Sequence, residues 1–187
     1  MRITGGQIKG RRLSTFRGMH IRPTADRTRE ALFNIIGQDL SGLKVLDLFA
    51  GTGSLGLEAL SRKAQHAVFI DNFQQAINLI KKNLMACGFQ NIGTILKKDL
   101  KKGLALNHTK LPRCFDLVFL DPPYGKDMIT SLLKENSTSD ILSNRSRVVA
   151  ELSKHEKLPH RFGTLEMADS RQYGDTRINF YVYEATS

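Results

Sequence analysis

The chain has 187 residues, of which 41% are hydrophobic, with five prolines, two cysteines, a formal net charge of +10 and a pI near 9.8. That length holds one α/β domain with a sizeable core and a short appendage. No apolar run approaches the roughly 20 residues that span a bilayer, and Met1–Gly6 lacks the apolar core of a signal peptide. Cys87 and Cys114 are too few and too far apart for a disulfide framework or a zinc site, so a cytoplasmic protein with reduced thiols and no metal is expected.

Residues 1–22 are rich in Gly and Arg and read as a basic β-hairpin or extended arm lying outside the core, with residues 23–187 forming the main domain. Residues 1–30 carry Arg2, Lys9, Arg11, Arg12, Arg17, Arg22, Arg27 and Arg29 against Asp26 and Glu30, a net +6 of the whole chain's +10. Clustered positive charge points to a polyanion, with nucleic acid the first candidate and a solvated basic tail the plain alternative.

Pro23-Thr24 opens a helix, Thr24 being a plausible N-cap, that runs through Ile36 to a stop at Gly37. Lys44–Leu48 is the first strand, followed by a glycine loop and a helix from Ser54 to Arg62. Ala67–Ile70 is the second strand, ending at Asp71-Asn72. A helix then runs from Phe73 to Cys87, with Gly88 at its end. Strand three lies near Gly93–Lys97, with Asp99 after it. The apolar run Leu117–Leu120 is a buried parallel strand, and a short helix follows over Asp127–Lys134. After a polar linker, Glu135–Asp140, come Val148–Leu152 and the tail segments Thr164–Ala168 and Arg177–Glu184. The tail segments are joined through Tyr173-Gly174-Asp175 and read as an antiparallel hairpin. Alternating strands and helices imply an α/β fold with a mainly parallel, doubly wound sheet.

Asp121-Pro122-Pro123-Tyr124 therefore falls at a strand's carboxyl end, where open α/β sheets place their sites. An amino group conjugated to a base is a poor nucleophile because its lone pair is delocalised. The Asp121 carboxylate and the Pro122 carbonyl, fixed by the Pro122-Pro123 turn, are suited to accept its two N–H bonds, and Tyr124 offers a stacking face. The competing reading is a proline turn that caps a strand.

Gly51-Thr52-Gly53-Ser54-Leu55-Gly56 fits G-x-G-x-x-G after a strand, and Asp71 follows 20 residues past Gly51. Alone, this also fits a nicotinamide dinucleotide. Two features favour S-adenosylmethionine. Asp47 lies within strand one, where an acid suits an ammonium rather than a pyrophosphate, and the Asp121 motif suits methyl transfer to an amine. Asp99 is placed to accept from an adenine amino group, or is a plain surface acid.

Together, the segments Arg22–Asn34, Asp47–Arg62, Asp121–Tyr124 and Tyr173–Thr176 resemble the RsmD family over nearly the whole chain and in order. The resemblance implies a Rossmann-like class I S-adenosylmethionine-dependent methyltransferase acting on the N2 amine of a guanine in bacterial small-subunit (16S) ribosomal RNA. It implies that Asp47 and the loop Phe49-Ala50-Gly51-Thr52-Gly53 hold the methionyl part. Asp71 with Asn72 would bind the ribose, and Asp99 with Leu100 the adenine. Asp121, Pro122, Pro123 and Tyr124 would hold the guanine, and Arg11, Arg12, Arg17, Arg22, Arg27 and Arg29 the RNA. Residues 134–147 are more polar than the family pattern.

A DNA adenine-N6 methyltransferase would use the same tetrapeptide, but 187 residues leave little for a separate base-reading domain. A nucleic-acid-binding module on an inactive methyltransferase fold is a second alternative, opposed by the intact acids at 47, 71 and 121. A protein-glutamine methyltransferase usually has Asn at the position of Asp121 and would leave the basic arm unexplained. Partners are expected to be ribosomal RNA or an assembling small subunit. The oligomeric state is open, with a monomer as the default.

Overall fold

The structure, a computed structural model, describes residues 1–16, 23–104, 106, 111–123 and 128–185. Thr24 at the first helix start has its backbone but not its side chain within that description. The chain divides into two compact units, Met1–Lys98 and Asp99–Ser187.

In the first unit the order is α1 (Pro23–Ile36), β1 (Lys44–Leu48), α2 (Ser54–Ser61), β2 (His66–Asp71), α3 (Gln74–Cys87) and β3 (Gly93–Lys97). Both β1 and β3 pair parallel with β2, with Leu48 opposite Ile70 and Asp71 opposite Lys97. The strands are short apolar runs buried by helices. Val45, Leu46, Ala67, Val68 and Phe69 are fully buried, which is why they read as continuous hydrophobic stretches rather than alternating ones. Helix α3 shows the 3.6-residue stripe expected of a surface helix: Ala76, Ile80, Leu84 and Cys87 are buried, and Gly88 ends it in the left-handed conformation.

Gly56 permits the close approach of α2 to β2. A Cβ there would lie 2.3 Å from Cε1 of Phe69, so any side chain at this position would push the helix off the strand.

The arm departs from its expected place outside the core. Arg2 and Arg12 form an antiparallel bridge, with Ile3 N–H donating to Arg11 O and Leu13 N–H to Met1 O. Ile3 is 0% exposed and Leu13 6%. The hairpin docks on the end of α2. Thr4 donates to Glu58 from both its N–H (2.8 Å) and its hydroxyl (2.9 Å), and Gln7 N–H reaches Ser61 O. The turn chemistry was legible in the sequence, but two apolar residues spaced across it were enough to bury it.

The second unit carries β4 (Phe115–Leu120), α4 (Met128–Lys134), α5 (Asn136–Ser139), β5 (Leu142–Ser153), β6 (Arg161–Phe162), β7 (Leu165–Tyr173) and β8 (Thr176–Tyr183). Its strand order is β4-β5-β8-β7-β6, with β4 and β5 parallel and the rest antiparallel. Strand β5 begins at Leu142, earlier than the expected Val148. The register slips from Phe115↔Leu142 to Leu117↔Arg147, so the polar residues between are an irregularity within the strand, where Arg145 takes φ 62°. Part of the expected linker Glu135–Asp140 is the short helix α5. Strand β7 extends well past Ala168, and its outward residues are polar, which hid it from a hydrophobic pattern.

Candidate active site

In the first unit two carboxylates and one amide hold the glycine loop. Strand β1 ends in Asp47-Leu48, and the backbone then turns through Phe49 at φ 60°, Gly51 at φ 55° and Gly53 at φ 77°. A phenylalanine in the left-handed region is strained, and strain of that kind persists only where surrounding bonds impose it. Those bonds are present. Ala50 N–H donates to Ile70 O at 3.0 Å, Gly51 N–H to Asp71 Oδ2 at 2.9 Å, and Gly53 N–H to Ala50 O at 2.7 Å. Asp71 uses its other oxygen for Phe73 N–H at 2.9 Å. Each of its oxygens keeps a second lone pair for a ligand.

Asp47 is 2% exposed and accepts from Gly56 N–H at 2.9 Å, so its negative charge sits at the start of α2, where the helix dipole favours it. Asn72 is exposed beside Asp71.

Asn83 completes the loop and was not singled out in the sequence. Fully buried on α3, its amide donates to Thr52 O (2.9 Å) and to Ser14 O (3.0 Å), while its carbonyl accepts from Ser14 N–H (2.8 Å). One side chain thus ties the arm to the glycine loop. The available signal was a polar residue standing on the apolar stripe of Ala76, Ile80, Leu84 and Cys87.

In the second unit, Asp99 opens the 3₁₀ turn Leu100–Lys102 and caps it by accepting from Lys101 N–H at 3.1 Å. Leu100 is 5% exposed. Strand β4 delivers Asp121 with its side chain exposed, followed by a buried Pro122 and an exposed Pro123. Tyr124 lies outside the described residues. Although water reaches Asp121, the protein around it withdraws enough solvent to raise its carboxyl to about 6. Leu120 is paired with Ala150 on β5, so the next residue on each strand, Asp121 and Glu151, stand side by side. Burial raises Glu151 to about 8, and the Asp121 charge adds to that rise.

Of the basic residues, Arg11, Arg12 and Arg27 are exposed. With Arg2 and Lys9, Arg27 lines a groove of about 530 Å³ between the arm and α1, whose rim also bears Asp26 and Glu30. Arg17 and Arg22 lie outside the described residues. Arg29 corrects the sequence reading. Only 4% exposed, it is paired with Asp26 at 2.8 Å and Glu58 at 3.3 Å and donates to Arg2 O. Its charge is used inside the fold and is not presented to phosphate.

A Rossmann-like α/β fold of the class I S-adenosylmethionine-dependent methyltransferase type, with antiparallel carboxyl-terminal strands, is thus in place. A solved Escherichia coli structure described as a candidate methyltransferase shares it at a TM-score of 0.84 and 29% identity, covering 100% of this chain and 99% of that one. The family model described as "Conserved hypothetical protein 95" matches residues 1–182, and the chain belongs to that family, the one its motifs resembled. Its relatives include proteins named Ribosomal RNA small subunit methyltransferase D. The one from Haemophilus influenzae is 37% identical over 73% of this chain and 72% of its own. The Escherichia coli one is 30% identical over 99% and 91%.

Proposed function

We propose that this protein transfers a methyl group from S-adenosylmethionine to the exocyclic N2 amine of a guanine in small-subunit ribosomal RNA, in the cytoplasm. The observation that carries the reading is Asp121 on a buried proline, Pro122, at the carboxyl end of β4. The names of the Haemophilus influenzae and Escherichia coli relatives supply the RNA.

The first unit fits the methyl donor. Gly51 and Gly53, with no Cβ, take positive φ and leave the loop backbone open to a ligand, and Asp71 keeps acceptor capacity for two ribose hydroxyls. Asp47 gives the loop its negative charge and Asn72 flanks the ribose acid. In the second unit, Asp99 with Leu100 has the acceptor and apolar surface that an adenine takes. When bound, S-adenosylmethionine supplies a methyl on a cationic sulfur, already a strong electrophile. The chain's own task is then alignment and charge stabilisation. Asp121 and the Pro122 carbonyl accept the two amine N–H groups and hold the nitrogen lone pair on its line of attack. Their attraction grows as the nitrogen becomes cationic, so they favour the transition state over the neutral ground state. The methylated nitrogen is acidic and gives a proton to Asp121, which returns it to water. Tyr124 stacks on the extruded base, recovering part of the few kcal/mol that unstacking costs. Arg11, Arg12 and Arg27 contact phosphates on the same RNA, together with Arg17 and Arg22.

The test is labelled methyl transfer to small-subunit RNA and to precursor particles by wild type and Asp121→Ala. Loss of transfer with cofactor affinity retained supports the assignment. Transfer near the wild-type rate by the variant rejects it.

A further inference from the structure

The reading of Asp121 as the amine acceptor leaves the half-buried acid beside it, Glu151, without a task. Glu151 follows Val148-Val149-Ala150, an apolar run from a strand interior. A carboxyl at the next position, partly withdrawn from water, is costly to ionise without a compensating partner. The β4–β5 register puts it beside Asp121: Val118↔Val148, Phe119↔Val149 and Leu120↔Ala150 are consecutive parallel partners. Directly paired residues point to the same face of a sheet.

We propose that Glu151 is the charge partner of Asp121 at the amine site, a positioning residue whose ionisation state sets how strongly Asp121 holds the nitrogen as it becomes cationic. This rests on the assignment of Asp121 to the amine. Among the described residues, Asp121 is the charge that acts on Glu151. Opposite it on β8 stands Ile178, with Phe180 further along the same face. Arg177 is opposite Leu152 instead, and its guanidinium donates to Glu156 O at 3.1 Å. Lys154 is engaged by Asp175 at 2.6 Å. On β4 the other acid, Asp116, lies at the far end of the strand, and Arg147 lies at the middle of β5, four residues before Glu151.

Two carboxyls so placed titrate as a unit. Desolvation lifts both, and the Asp121 charge lifts Glu151 further, so Asp121 ionises first and Glu151 second. Around neutrality the pair holds one proton and one negative charge. Loss of the second proton places two negative charges at the nitrogen as its lone pair forms the new N–C bond, while the sulfur keeps the electrons of the broken S–C bond. The departing N–H proton passes to Asp121 and then to water. Transfer is therefore faster with Glu151 ionised.

The test is the single-turnover rate of methyl transfer from about pH 5 to about pH 10, on the same RNA, for wild type, Glu151→Gln, Glu151→Asp and Asp121→Asn. Wild type shows a first rise as Asp121 ionises and a second, on the order of tenfold, as Glu151 does. Glu151→Gln, fixed neutral, keeps the first and loses the second, and Glu151→Asp restores it. A second rise that persists in Glu151→Gln, or is absent from wild type, overturns the proposal. Infrared titration of the folded wild type must also show a protonated carboxyl band that disappears across the second rise, and absence of that band overturns the proposal even if Glu151→Gln does not fold. Asp121→Asn separates the two claims: transfer by that variant sinks the assignment of Asp121 itself, whatever Glu151 does.

Discussion

Glu58 is the residue on which the arm, α1 and α2 converge, and removing it gives the sharpest stability prediction. Its carboxylate is 0% exposed and accepts five hydrogen bonds. Two come from Thr4 (2.8 and 2.9 Å), one from Arg29 Nε (3.3 Å), and two from Arg62 Nε and Nη2 (3.1 and 2.9 Å). Arg62 is itself 2% exposed and lies over the Phe33 ring at 4.8 Å. In Glu58→Ala, Arg29 keeps Asp26, whereas Arg62 is left with Gln38 and a 3.5 Å contact to Thr4 Oγ1. Breaking a buried ion pair from one side costs about 3–5 kcal/mol. For a chain of this size each kcal/mol lowers the melting temperature by about 2–4 °C, so a drop on the order of 6–20 °C is expected by circular dichroism. Limited trypsin digestion then cuts first at Arg11 and Arg12 as the arm loosens. Replacing Glu58, Arg29 and Arg62 together with Leu, Met and Met recovers most of the loss, because the cost lies in the unpaired charges. A single variant melting within about 2 °C of wild type would refute the network's role.

Other consequences follow from the site. Asp71→Ala removes the acceptor for Gly51 and Phe73 N–H and the proposed ribose contact. It weakens S-adenosylmethionine binding by a few kcal/mol at most in calorimetry, and NAD shows no heat with either protein. Arg11→Ala/Arg12→Ala lowers RNA affinity and reduces the salt slope by about one unit per lost phosphate contact, while an unchanged slope leaves the arm without an RNA role. The folded carboxyl of Asp121 is raised to about 6 and the reaction needs its ionised form. Activity therefore falls as pH drops through that value, and a rate flat down to the ordinary carboxylate range contradicts it. Gly56→Ala destabilises by about 1–3 kcal/mol, because its Cβ meets Phe69.

Much of this was legible in the residues. Lys44–Leu48 and Gly93–Lys97 stand where their apolar runs put them, and Pro23–Ile36 begins at its proline and ends before its glycine. The glycine loop and the two acids of β1 and β2 came from spacing alone. What stayed hidden involves partners distant in sequence. Arg29 looked like a free cation in a basic arm because nothing local shows Glu58 reaching it from α2. Glu58 itself, inside Leu57–Leu60, was the clue. Asn83 and Glu151 are likewise polar residues on faces the pattern reserves for apolar ones, and both acquire a partner only through packing. The start of β5 was missed because Ser143–Ser146 are polar and the register slips there.

The central claim is tested most directly by identifying the methylated base. Small-subunit RNA or precursor particles from a strain lacking this gene are incubated with the purified protein and labelled S-adenosylmethionine. The RNA is then digested to nucleosides and separated by chromatography. The account predicts that label appears in N2-methylguanosine and is absent when Asp121 is Ala. Label in N6-methyladenine, in DNA or in protein, or no label in a correctly folded wild type, contradicts it.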